Sequence, residues 1–117
     1  MDINDLYTVD KHDEGAEMQV KDQLGNKLDC FITIAGIDSK AWKQSFAKQK
    51  RKLISGDDSN AAADLYTGVS LGWRGFVSND EELKFSKKAI KQLYINAPYL
   101  IDQVDTFIAN RANFTKS

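Results

Sequence analysis

Glu17–Gly36 reads EMQVKDQLGNKLDCFITIAG: two strand-like runs flanking the polar turn segment DQLGNK. Met18 and Val20 alternate with polar residues in the first run, and Phe31, Ile32 and Ile34 make the second more apolar. Period-two patterning of this kind marks strands with one face covered. Gly25 and Asn26 suit the positive φ of a tight hairpin turn. The stretch therefore predicts a β-hairpin over 16–36. A two-stranded ribbon alone is barely stable in water, so helices must pack on it or a further strand must extend it.

Upstream, residues 1–15 are polar and acidic, with Leu6, Tyr7 and Val9 as the apolar cluster, and read as a loosely held arm. His12, the single histidine, stands in that arm as DKHDE, so the composition places it in a solvated patch. Downstream, residues 39–114 read as a helical region. In KAWKQSFAKQKRKLI, Trp42, Phe46, Gln49 and Leu53 share one stripe, with Asp38 or Ser39 available as the cap. The next segment places Ala62, Leu65, Tyr66, Val69, Trp73 and Phe76 on one helical face, with Gly68, Gly72 and Gly75 alongside. Each glycine costs a helix interior about 1 kcal/mol relative to alanine. Three together point to close backbone approach or to early fraying.

Asn79 and Asp80 carry turn chemistry. Ser86 caps a helix whose Ala89, Ile90, Leu93, Tyr94 and Ala97 share a face, and Pro98 divides it from a last helix. That last helix gathers Leu100, Ile101, Val104, Phe107, Ile108 and Ala112 into one apolar arc. Arg111 falls inside the arc, where an unpaired charge is costly, so it must snorkel outward or meet a carboxylate. The fold class is α+β: an N-terminal hairpin followed by about four helices, mainly helical, in one domain spanning 1–117.

The 117 residues carry a net charge of −1, unevenly laid out. Met1 to Asp38 holds nine acids against three bases, and Ser39 to Ile54 six bases and no acid. No apolar run approaches the roughly 20 residues that span a bilayer, and no signal peptide is visible. Cys30, the only cysteine, permits no internal disulfide and reads as a small buried hydrophobe in a reducing, intracellular setting.

Catalytic patterns are weak. The letters of Gly68, Ser70 and Gly72 match Gly-x-Ser-x-Gly, but the α/β-hydrolase context and a triad histidine are missing. Asp57/Asp58 and Glu81/Glu82 read as turn and helix-start residues. The expectation is a non-enzymatic protein with no cofactor and no metal. Lys48, Lys50, Arg51 and Lys52 on the basic helix leave nucleic-acid binding as an alternative, although a solvated face complementing the acidic arm explains them as well.

The second half of the chain carries a resemblance. LGWRGF, followed by LKFSKKAIKQLYINAPYLIDQVDTFIANRANF, is similar to the small tail assembly chaperones of long-tailed bacteriophages and prophages. The matching positions include Trp73, Pro98, Gln103, Phe107, Arg111 and Phe114, and the RANF ending is its most distinctive piece. The resemblance implies a mainly helical assembly factor in the host bacterial cytoplasm, absent from the mature virion. It would bind the tape measure protein, help recruit tail tube protein, and exist in some relatives also as a frameshifted longer form. Self-association is a further expectation; membrane binding is not, and a structural tail or head-completion role is an alternative.

Overall fold

A computed structural model describes residues 1–55 and 60–115. The hairpin forms as its patterning requires, with β1 (Ala16–Lys21) antiparallel to β2 (Lys27–Ile34). Met18, Val20, Ile32 and Ile34 are buried, so the period-two positions form the inner face. Gly25 holds the turn at φ 86° while Asn26 stays at negative φ.

The hairpin is completed by a strand of the same chain. Helix α2 (Lys40–Ser55) and helix α3 (Ala61–Val69) lead into β3 (Ser70–Arg74), which pairs antiparallel with β2 to give the order β1-β2-β3. This corrects the reading of a helix continuing through Trp73 and Phe76. Pairing Ser70–Arg74 with β2 supplies backbone partners that β2 would otherwise leave to water, and this outweighs the helical spacing of Trp73. The amide of Ala35 donates to Val69 O at 2.8 Å, and Lys87 Nζ donates to Thr67 O and Ser70 O, satisfying carbonyls at the end of α3.

The three glycines thus do different things. Gly68 is where α3 meets α2, because a Cβ there would lie 2.2 Å from Ser45 Oγ. Gly72 lies within β3, and Gly75 takes φ 87° as the chain turns into a small ribbon of β4 (Val77–Ser78) and β5 (Glu81–Glu82). Asn79 and Asp80 make its turn at φ 53° and 67°. Asp57 and Asp58 lie outside the described residues.

Ser39 caps α2, its Oγ accepting the Trp42 amide at 3.0 Å. Ser86 caps α4 (Lys87–Asn96) by accepting the Ala89 amide. Pro98 then stands at the N-cap of α5 (Tyr99–Ala109), as its punctuating role requires. Leu100, Val104 and Ile108 of α5 join Ile90 and Tyr94 of α4 in the core, so the last helix covers the sheet and α3.

The two ends of the chain depart from expectation. Within residues 1–15, Ile3–Leu6 form a 3-10 turn and Val9–Glu14 form α1, and His12 is 1% exposed rather than solvated. The last helix stops at Ala109, and Arg111–Phe114 form a separate 3-10 turn. Asn110 leaves helical geometry there, and its side chain accepts the Ala112 amide, while Asn113 Nδ2 donates back to Phe107 O at 2.8 Å.

Candidate functional site

Arg111 meets a carboxylate, the second of its two expected fates. Its Nε and Nη2 donate to the two oxygens of Asp38, each at 3.0 Å. Asp38 also accepts the Thr8 hydroxyl at 2.7 Å, and its amide donates to Nδ1 of His12 at 2.9 Å. The His12 ring lies 4.8 Å from that of Phe114, which meets Phe107 edge-on at 5.5 Å. α1, the turn before α2 and the C-terminal 3-10 turn are thereby knotted together. The knot escapes sequence reading because Thr8 and His12, Asp38, and Arg111 come from three distant parts of the chain. The awkward charge at Arg111 was its one local signal.

The knot makes folding acid-sensitive. Burial lowers the His12 pKa below its usual 6.5, Asp38 and Asp13 opposing this and Arg111 assisting it. Nδ1 must also stay unprotonated to accept the Asp38 amide. The hydrogen bonds from Arg111 and then Thr8 hold the Asp38 carboxyl well below the usual carboxylate range. Both pKa values are depressed in the folded state, so each contributes stability above its unfolded value that is lost as pH falls through the folded one. For His12 that loss begins below pH 6.5, and for Asp38 below 3.8. We expect the urea midpoint to drop from pH 7 to pH 5, and the single histidine to titrate below 6.5 by NMR. A His12 titration at or above 6.5 would refute the neutral buried ring.

Beside the knot, α5 and β1 enclose an open groove. Met18 and Phe107 are the apolar side chains of its lining, Gln103, Thr106 and Asn113 are among the polar ones, and Lys27 and Asp102 bring charge; its volume is about 870 Å³. A second hollow of about 710 Å³ at the hairpin turn is lined by Lys21, Pro98, Tyr99 and Gln103. Gln103 lies between them and pairs with the backbone of Lys21, donating to its carbonyl at 2.7 Å and accepting its amide at 3.0 Å. One amide side chain thus occupies the end of the β1 edge, limiting strand addition there while leaving the groove open.

The sequence-selected residues therefore divide. Pro98 lines the hairpin-turn hollow, Phe107 the groove and Gln103 both, and Arg111 and Phe114 fasten the segment that follows. Trp73 lies elsewhere, on β3. Its ring packs against Phe76 at 4.5 Å and Phe85 at 5.5 Å, and Nε1 donates to Leu83 O at 2.9 Å. That half-buried aromatic group fastens the β4–β5 ribbon. Lys48, Lys50, Arg51 and Lys52 are exposed on the outer side of α2.

Cys30 and Ser70 are both buried. Cys30 is buried, and burial followed by the charge of Asp29 raises its thiol pKa. Ser70 is fully buried, donates to Tyr66 O at 2.8 Å and is hydrogen-bonded at 2.7 Å to the Tyr94 hydroxyl, whose pKa burial pushes up to about 12. It begins a strand after a helix, the reverse of a nucleophile elbow. Among the described residues no group of three or more His, Cys, Asp or Glu is placed to hold a metal ion, and no helix is long and apolar enough to cross a membrane. No protein-family model, curated protein or solved structure matches the chain.

Proposed function

We propose that this chain is a non-enzymatic tail assembly chaperone that binds the tape measure protein of a long-tailed phage or prophage. It acts in the bacterial cytoplasm, helps recruit tail tube subunits, and leaves before the virion is complete. The observation that carries this reading is the α5–β1 groove. The segment bearing the family resemblance supplies Gln103, Phe107 and Asn113 to this groove and Pro98 to the hollow beside it. In this reading Met18 and Phe107 meet the apolar stripe of an elongated helical client and the side-chain amides around them meet its polar flanks.

Co-expression with the tape measure protein tests the function, and a groove variant tests the site. The native chain is expected to co-purify with its client and raise its solubility. Failure of both ends the chaperone reading. Thr106 is exposed on the groove wall, so Thr106→Arg fills the groove without disturbing the core. It is expected to weaken client binding at least about tenfold, equivalent to about 1.4 kcal/mol, with an unchanged melting temperature. Native-like binding by Thr106→Arg would move the client site elsewhere.

A further inference from the structure

Among the described residues, two surface patches that neither the core nor the groove uses are opposite in charge. The first is on α2. Ala47, Lys50, Arg51 and Ile54 follow the i, i+3, i+4, i+7 spacing of a single stripe and line an open hollow of about 470 Å³. Ile54 is 78% exposed at its end. Among the described residues, the side chains of Lys43, Lys48, Lys50 and Arg51 enter no ion pair. The second patch is the N-terminal 3-10 turn. Residues three apart eclipse in such a turn, so Ile3 and Leu6 share an edge, and they are 61% and 62% exposed. Tyr7 adjoins them at 65%, and Asp2 and Asp5 flank them.

The turn does not cover the α2 stripe of its own chain. Asp13 Oδ1 accepts the Lys40 amide at 2.8 Å and Thr8 is bonded to Asp38, which pins the N-terminal segment at the first turn of α2. Ile54 lies about 21 Å further along the helix at 1.5 Å per residue. Ile3, Leu6 and Ile54 stay 61%, 62% and 78% exposed, so each chain carries an acidic apolar edge and a basic apolar stripe that it leaves uncovered.

We infer that they meet between copies: Ile3, Leu6 and Tyr7 of one chain seat on the Ala47–Ile54 stripe of a second, with Asp2 and Asp5 facing Lys50 and Arg51. The occupant is a second copy because the charge and the apolar character of each patch complement the other. A contact between unlike patches can close a two-fold dimer or run head-to-tail; we take the head-to-tail form, in which one pairing leaves a free patch at each end. Assembly therefore grows with concentration into a ring or row, and salt weakens it by screening the flanking charges. This inference is independent of the client groove.

Sedimentation velocity on the full chain, over a range of concentration and salt, tests it. Leu6→Asp and Ile54→Asp alter exposed side chains, and circular dichroism verifies that both fold. The native chain is expected to assemble at low salt and each variant alone to remain a monomer. An equal mixture of the two variants should give a dimer and nothing larger, since one intact pair of patches survives. A native chain that is monomeric throughout overturns the inference, as does assembly that neither variant disturbs. A native chain that stops at a dimer at every concentration, or a mixture that stays monomeric, overturns the head-to-tail geometry. If Lys50→Glu with Arg51→Glu abolishes retention on DNA at low salt but leaves sedimentation unchanged, the stripe serves nucleic acid instead.

Discussion

Phe114→Ala is expected to destabilise the protein by about 3–5 kcal/mol, the cost of truncating a well-buried phenylalanine. Only 3% of Phe114 is exposed, and its ring contacts both His12 and Phe107. Its position near the end of the chain would ordinarily make truncation harmless, because terminal residues are often loosely held. Here the side chain closes the core beneath α1. The Arg111–Asp38 ion pair beside it does not substitute: the Arg111 side chain is 60% exposed, and pairs in water contribute about 0–1 kcal/mol. The aromatic anchor therefore outweighs the charge pair in holding the tail. Urea unfolding followed by circular dichroism checks this. A loss below about 1 kcal/mol would mean the tail is not part of the core. Against a total stability of about 5–15 kcal/mol, the expected loss leaves a substantial unfolded population. Lost client binding by this variant consequently has to be read beside its folded fraction.

Gly68→Ala is expected to destabilise by about 1–3 kcal/mol, the usual cost of overpacking. Helix propensity alone predicts the opposite, a gain of about 1 kcal/mol from replacing glycine in a helix. Geometry decides the sign. The new Cβ would stand 2.2 Å from Ser45 Oγ and 2.6 Å from Ser45 Cβ. Ser45 has little freedom to retreat, being 7% exposed and donating to Leu65 O at 2.7 Å. α2 and α3 would have to separate. Removing the obstacle should restore the propensity gain, so Gly68→Ala made in a Ser45→Gly background is expected to be neutral or stabilising. A double-mutant cycle isolates this coupling. If Gly68→Ala alone raises the melting temperature, the helices are not held as closely as this contact requires.

Both substitutions concern features that local sequence showed only in outline. Three glycines beside a helical stripe flagged an anomaly in Gly68–Gly75, yet the same letters accommodated a fraying helix. β2 lies far away in sequence, and it is the pairing of Ser70–Arg74 with β2 that turns the segment into a strand and moves Trp73 away from the face of Val69. Arg111 was legible as a problem and Asp38 as a capping candidate. Their meeting, with His12 between Asp38 and Phe114, needed the fold. Of the groove, the apolar and polar faces of α5 were visible in residue order. The wall supplied by β1, and the bond of Gln103 to the Lys21 backbone, were not.

What residue order decided was whatever closes within a few neighbours: the hairpin and its Gly25 turn, the Ser86 cap, the break at Pro98, and the apolar faces of α4 and α5. These depend on backbone sterics, on hydrogen bonds spanning three or four residues, and on periodic burial, all encoded locally. Tertiary structure decided the rest: the third strand, the burial of His12, the partner of Arg111 and the groove between α5 and β1. Each requires groups from distant parts of the chain to desolvate together. A histidine among aspartates is a solvated residue in isolation and a core residue only when Asp38, Arg111 and Phe114 arrive around it.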